Sequence, residues 1–346
     1  MDATHTPDTD RRPVVVRLNA ETCAMTDEER AILASVDAHV VEIEGADEEE
    51  AIEASRECDA LMVVSAYVRA RHIEAMRRCR MISRLGTGVD KIDIEAATRR
   101  GIVVTNLPGF CTDEVADHTL ALLLTVARQL DVFRAAMRQG RVPSPPPEVR
   151  RLSTRTVGLI GLGRIGRAVT TRARGFGMRV VAFDPGVTPP EAAAAGAELA
   201  DFDRVLSEAD YLCLFCPLTS DTRQLLTATE FRRMKPSAVL VNTGRGELVN
   251  EEDLAAALRE GVIRAAAIDV YAGIDVFVAG GFATDHPFFG LENIVMTPHV
   301  SAYSQESLVE QKIDGAQAVV DVLSGRWPEH PVNPSVQPWF PVVRPD

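Results

Sequence analysis

The 346-residue sequence has no uninterrupted apolar run of about 18 residues, the length a helix needs to cross a bilayer. Its first residues, MDATHTPDTDRRP, lack the apolar segment of a secretory signal. Both absences lead us to expect a cytoplasmic protein. Positive charge is also in short supply: 37 Lys and Arg stand against 50 Asp and Glu, a net charge of −13. Such a surface repels a phosphate backbone and an anionic membrane, which sets nucleic acid and lipid aside as partners. Cysteine is sparse. The six thiols (Cys23, Cys58, Cys79, Cys111, Cys213, Cys216) are scattered through a chain large enough to need no disulfide staples, so reduced thiols are expected. Cys213 and Cys216 have C-x-x-C spacing, open to a redox or metal-binding reading. They fall in a continuous apolar run, YLCLFCPLT, where strand alternation would send the two thiols to opposite faces. We read them as structural and expect no metal.

What is present is alternation. Residues 1 to about 12 are polar, aperiodic and read as a disordered lead. From Val14 onward short apolar runs (VVVRL, HVVEI, ALMVV, MISRL, IVVTN) alternate with amphipathic stretches of helical period, the pattern of a parallel sheet covered on both faces. One longer helix is expected over TDEVADHTLALLLTVARQLDVF, with Thr112 as its N-cap and Asp113 and Glu114 in its first turn. Prolines 143 to 147 then break regular structure. A second series follows: TVGLI, RVVAF, YLCLF, AVLVN, AAAID and NIVMT, with a short extra strand at AEL. A last helix, SQESLVEQKIDGAQAVVDVLSG, precedes a Pro-rich tail that would run back over the first sheet. The expected fold is α/β, with two doubly wound parallel-sheet domains. At a soft prior of roughly 150 residues per domain, the length agrees with two.

The second series opens with TVGLIGLGRIGRAV, in which Gly161, Gly163 and Gly166 make G-x-G-x-x-G after a strand and at the start of a helix. Gly161 permits the tight turn and Gly163 lets backbone approach a pyrophosphate. Gly166 lets the helix pack on the strand, and the helix N-terminus, at Arg164 and Ile165, presents unpaired N–H groups to the anion. Asp184 ends the next strand, 18 residues past Gly166. An acid there accepts hydrogen bonds from ribose hydroxyls and repels a 2′-phosphate, which favours NAD over NADP. An unliganded Gly-rich turn, with Asp184 capping its own turn at Pro185, is the alternative.

Hydride transfer to a carbonyl needs a cation to hold and polarise the substrate and an acid/base for its oxygen. Arg245, in VLVNTGRGELV, and His299, in IVMTPHVSAYS, each lie just past the carboxyl end of a strand, where ligands bind in open α/β sheets. A guanidinium grips a carboxylate in bidentate fashion, and an imidazole exchanges protons near neutrality. A surface-loop arginine and a satisfied loop histidine are the competing readings.

Together with VNTGRGELVNEEDLAAALREGVIRAAAIDV, LENIVMTPHVSAYSQES and RLGTGVDKIDIEAATRRGIVVTNLPGFCTDEVADHTLALLL, these stretches resemble the D-isomer-specific 2-hydroxyacid dehydrogenases from about residue 40 to about 333. The resemblance implies a discontinuous flavodoxin-like substrate domain, 13–107 with 303–346, and an inserted Rossmann NAD-binding domain, 108–302. It implies Arg245 on the substrate carboxylate and carbonyl, His299 as acid/base, and backbone amides of Leu85, Gly86, Thr87 and Gly88 adding to substrate binding. Asp269 would contact the nicotinamide amide, and Thr112, Pro217, Thr222 and Thr243 would line the cofactor site. It also implies a homodimer.

One element of the family pattern is missing. The Glu that pairs with the histidine lies five residues beyond the aspartate, where this chain has Ile274. Asp275 is the adjacent acid and the candidate replacement, and VFVAGGFAT lengthens the segment that follows. Three functions therefore stand: an NAD-dependent oxidoreductase interconverting a 2-oxo acid and a D-2-hydroxy acid; the same chemistry on a phosphonate, sulfonate or phosphite; or an NAD(H)-binding regulatory protein similar to the C-terminal-binding co-repressors.

Overall fold

The computed structural model describes residues 11–45, 47–274 and 285–345, which divide into two compact units. In the described chain, one contains the residues up to Phe110 and those from Ser304 onward, and the other contains the residues between Cys111 and Tyr303.

In the first unit, β-branched and apolar runs form β1 (Val14–Arg17), β2 (His39–Glu42), β3 (Ala60–Val63), β4 (Met81–Arg84) and β5 (Val103–Thr105). They pair in parallel in the order β2-β1-β3-β4-β5. Between them lie α1 (Asp27–Ala34), α2 (Glu48–Ser55), α3 (Ala70–Ala75) and α4 (Ile94–Arg99). Three of these start on side-chain caps: Thr26 in a capping box with Glu29, then Asp47 and Asp93. Alternate strand residues separate two cores. Val15, Met62 and Met81 pack with Leu33 of α1 and Ala316 and Val319 of the C-terminal helix, while Val16, Leu61 and Ile82 pack with Ala51, Ile73 and Ala96 of α2, α3 and α4. The tail does return to this sheet: Asn333 accepts from the Val104 amide at 2.9 Å and donates to the Ile102 carbonyl at 2.9 Å.

The second unit begins with α5 (Thr112–Ala127) and α6 (Leu130–Arg138). The single long helix expected here is two, because Gln129 adopts a left-handed backbone with φ of 56°. Thr112 is the first helical residue and Cys111 precedes it as N-cap, so the cap lies one residue earlier than expected. The chain then runs β6 (Thr156–Ile160), α7 (Arg164–Gly175), β7 (Arg179–Phe183), α8 (Pro189–Ala195), β8 (Glu198–Leu199), α9 (Phe202–Glu208) and β9 (Tyr211–Leu214). It continues through α10 (Ala228–Arg233), β10 (Val239–Asn242), α11 (Glu251–Arg259), β11 (Ala265–Ile268) and β12 (Ile294–Met296). The seven strands are parallel, ordered β8-β7-β6-β9-β10-β11-β12, so the strand order reverses beside β6 and opens the ligand-binding crevice of a doubly wound sheet at its carboxyl end. Cys213 and Cys216 belong to different apolar clusters on the two sides of this sheet. The last helix, α12 (Gln305–Leu323), belongs to the first unit, where it packs against β3 and β4.

Candidate active site

The Gly-rich turn follows β6 and leads into α7. Gly161 has φ of 103°, and a Cβ there would lie 2.8 Å from the Cys216 amide nitrogen. At Gly166 a Cβ would lie 2.4 Å from the Gly161 carbonyl, so both positions admit glycine alone. Gly163 differs. It is exposed, it caps α7, and a Cβ there would meet nothing within 4 Å, so its backbone is bare toward solvent at the positive end of the helix. Arg164 is exposed beside it and Ile165 half-buried. Asp184, half-buried, is tied into the same turn: one oxygen accepts from the Leu162 amide at 2.7 Å and the other from Gly186 at 2.9 Å. A carboxylate has about four lone-pair sites, so acceptor capacity is left for ribose hydroxyls. A dinucleotide therefore fits this turn. Thr222 donates to the Pro217 carbonyl at 2.6 Å, and Thr243 shares a 2.8 Å hydrogen bond with Thr119 of α5.

The residues after β10 and β11 form one hydrogen-bonded run. Asn242, the buried last residue of β10, donates from its side chain to the Arg245 carbonyl at 2.8 Å. Its own carbonyl accepts from the Asp269 amide at 3.0 Å, and the Asp269 carbonyl accepts from the His299 amide at 2.8 Å. Arg245, past the end of β10, and His299, past the end of β12, thus stand on either side of the β11 end and are linked through Asn242 and Asp269. His299 has φ of 55°, a left-handed conformation uncommon for a side chain of this size, and it survives because surrounding bonds over-determine it. Close backbone packing adds to this: at Gly246 a Cβ would lie 2.1 Å from the Tyr271 backbone carbon. The Tyr271 hydroxyl donates to the Thr297 carbonyl at 2.9 Å, and burial pushes its pKa up.

Asp269 is wholly buried. Its carboxylate accepts from the Thr297 hydroxyl at 2.6 Å, the Val300 amide at 3.0 Å and the Ser301 amide at 3.0 Å. It faces the 297–301 turn, so in this structure it holds the loop that carries His299. His118 of α5 approaches the pair, 3.1 Å from the Thr297 hydroxyl and 3.6 Å from Asp269. Asn242, Thr297 and His118 were missed in the sequence. The signal for Asn242 was a lone amide ending the apolar strand AVLVN.

In the first unit, the turn after β4 offers fewer amides than expected. Leu85 donates to the Val63 carbonyl at 2.8 Å and Gly86 to the Arg84 carbonyl at 2.9 Å. The sheet takes up the Leu85 amide and a local turn takes up the Gly86 amide, so neither is left over for a substrate, a correction to the expectation. The Thr87 hydroxyl donates to the Leu107 carbonyl at 3.0 Å, while the Gly88 amide meets no acceptor among the described residues. Ile274, where the family has Glu, packs on the apolar cluster below β10 and β11. Asp275 and residues 276–284 lie outside the described residues. Nearby, His286 and Glu251 form a half-buried pair at 3.1 Å, and Glu251 also accepts from the Ala272 amide at 2.9 Å. Among the described residues no group of His, Cys, Asp or Glu is arranged to hold a metal, and no helix is long and apolar enough to cross a membrane.

A seven-stranded doubly wound sheet with this turn at its switch point defines a dinucleotide-binding protein. Residues 120–301 match the family model described as D-isomer specific 2-hydroxyacid dehydrogenase, NAD binding domain. The D-3-phosphoglycerate dehydrogenase of Mycobacterium tuberculosis (strain ATCC 25618 / H37Rv) is 36% identical over 310 residues, covering 87% of this chain and 57% of that protein. This chain thus spans a little over half the length of the phosphoglycerate dehydrogenases it matches. The glyoxylate reductase of Korarchaeum cryptofilum (strain OPF8) is 35% identical, over 82% of this chain and 86% of that one. The crystal structure of the TT0316 protein from Thermus thermophilus superimposes with a TM-score of 0.81 at 32% identity, covering 92% of this chain and 99% of that one. The chain belongs to the D-isomer-specific 2-hydroxyacid dehydrogenase family, and its cofactor is NAD.

Proposed function

We propose that this protein interconverts a 2-oxo acid and a D-2-hydroxy acid. The observation that carries the reading is the bonded run Arg245–Asn242–Asp269–His299, which fixes a cation past β10 and an acid/base past β12, on either side of the β11 end, in the unit bearing the Gly-rich turn. Gly161, Gly163, Arg164, Ile165, Gly166, Asp184, Thr112, Pro217, Thr222 and Thr243 are the residues proposed to hold NAD, which when bound supplies or accepts the hydride. Arg245 grips the substrate carboxylate and polarises the carbonyl. His299 donates a proton to the carbonyl oxygen during reduction and takes it back during oxidation. Asp269 acts on that step indirectly, by holding the His299 loop. The Gly88 amide is the proposed backbone donor from the turn after β4.

The test is NADH oxidation with glyoxylate, hydroxypyruvate and phosphonate, sulfonate and phosphite analogues, since an arginine fork accepts each of these anions. Turnover with a 2-oxo acid that falls at least a hundredfold in Arg245→Ala and in His299→Ala is expected. Tight NADH binding with no turnover on any substrate would sink the reading and leave the regulatory one, which Ile274 in the place of the family's Glu favours. On sequence position, Asp275 is the proposed partner of His299. A carboxylate beside the imidazole would raise its pKa, so Asp275→Asn should shift the pH–rate profile of reduction to lower pH, and an unmoved profile rules Asp275 out. We further propose a homodimer, supported by the exposed apolar residues of α6, Leu130 at 52% and Met137 at 66% exposure.

A further inference from the structure

We propose that the amino-terminal edge of the second sheet carries a binding site for a small phosphate-class dianion, built from Arg264, Arg155, Arg150 and Lys235 around Tyr211. This edge is the far side of the sheet from the Gly-rich turn: β6 is five residues long, so its two ends are roughly 13 Å apart.

The register places the residues in one row. Ala265 pairs with Val239, Val239 with Tyr211, and Tyr211 with Val157, so the chain enters β11, β10, β9 and β6 at the same edge. The entering backbones are bonded in sequence: Arg264 donates to the Ala238 carbonyl, Val239 to Asp210, and Asp210 to Thr156. Four cations collect here against two carboxylates. Asp210 lies 3.2 Å from the Lys235 ammonium and 3.7 Å from Arg155, and accepts from the Thr156 amide at 2.9 Å. Glu148 accepts from Arg150 at 2.6 Å. The next acid, Glu208, is engaged by Arg179 and Arg204 on the other side.

The Arg150 hydrogen bond holds the Glu148 carboxyl below its ordinary value, and Arg264 adds only its charge to that pairing. Its guanidinium makes no hydrogen bond or ion pair with a described residue, and its Nε is buried without a partner, as is the Nε of Arg155. Tyr211 opens β9 at this same edge and is buried; burial raises the pKa of its hydroxyl, and the charges of Arg264, Arg155 and Arg150 act against that rise. Buried donors left unmade are costly, and a chain of net charge −13 has acids to spare for pairing them. The Arg264 guanidinium, half-buried and bonded to no described residue, points to a ligand that supplies the acceptors. Two uncompensated charges match one dianion, and guanidinium forks with a phenol donor match the oxygens of a phosphate group. The acidic surface elsewhere repels a longer polyanion, which limits the ligand to a small molecule.

The test titrates inorganic phosphate by calorimetry into the NADH-saturated protein, with the same titration of Arg264→Gln and Arg155→Gln. We expect saturable binding in the wild type, weakened at least tenfold in both variants while NADH affinity and melting temperature stay unchanged. Phosphate seated at the Gly-rich turn or at Arg245 would survive both substitutions, and such survival overturns the proposal. So does a variant whose oligomeric state changes, because the cations would then be meeting carboxylates of a second copy.

Discussion

At the residue scale, Asp269 has two roles that experiment can separate. The resemblance gave it a direct contact with the cofactor, and the structure gives it three donors from the 297–301 turn. The two roles predict different defects. In Asp269→Asn an NH2 group would replace one acceptor and face an amide or the Thr297 hydroxyl, leaving a buried donor unmet at about 1–3 kcal/mol. The turn would loosen and His299 would leave its left-handed conformation. We expect kcat to fall by one to two orders of magnitude with little change in the dissociation constant for NADH measured by fluorescence. A loss of NADH affinity as large as the loss of kcat would restore the direct contact. Gly246→Ala tests the same loop from the opposite side. Its Cβ would meet backbone that has no rotamer to yield, so it should cost several kcal/mol or prevent folding, measured as melting temperature against wild type.

At the element scale, α2 and α3 are joined by a buried histidine that the catalytic argument does not use. His72 is wholly buried and bonded at 2.6 Å to Ser55, whose hydroxyl donates to the Ala51 carbonyl, while its Nδ1 has no partner. Burial holds its pKa down at about 4, against an unfolded value near 6.5. Between these values the unfolded chain binds the proton and the folded chain does not, so stability rises with pH through this window. His72 therefore costs nothing above about pH 6.5 and removes on the order of 3 kcal/mol by pH 4. Melting temperatures of wild type should drop more steeply from pH 6.5 to 4 than those of His72→Gln. Parallel curves would show that His72 does not titrate this way.

At the scale of the whole molecule, legibility followed the physics of each signal. Two alternating series, the Gly-rich turn and the short strand at AEL could be read because apolar periodicity and glycine constraints are local. Arg245 and His299 stood out as polar residues just beyond apolar strands. The destination of the Leu85 N–H and the approach of His118 to Asp269 depend on partners distant in sequence, and no local pattern marks them. Association between copies is a further property that patterning only hints at. Leu130, Phe133 and Met137 recur at helical spacing on α6, and no residue of that helix is buried within the chain. In a dimer this stripe would be covered, and Leu130→Glu with Met137→Glu should give monomers by light scattering at concentrations where the wild type is dimeric. Net charge adds a second handle. Two copies at −13 repel one another, and that repulsion is screened beyond about 10 Å at 0.1 M salt. Apolar burial is not weakened by such salt, so the wild-type dimer should tighten as sodium chloride rises from 0.02 to 0.2 M (roughly, a several-fold fall in dissociation constant). An interface held mainly by ion pairs would weaken over the same range, and sedimentation equilibrium at the two salt concentrations distinguishes them.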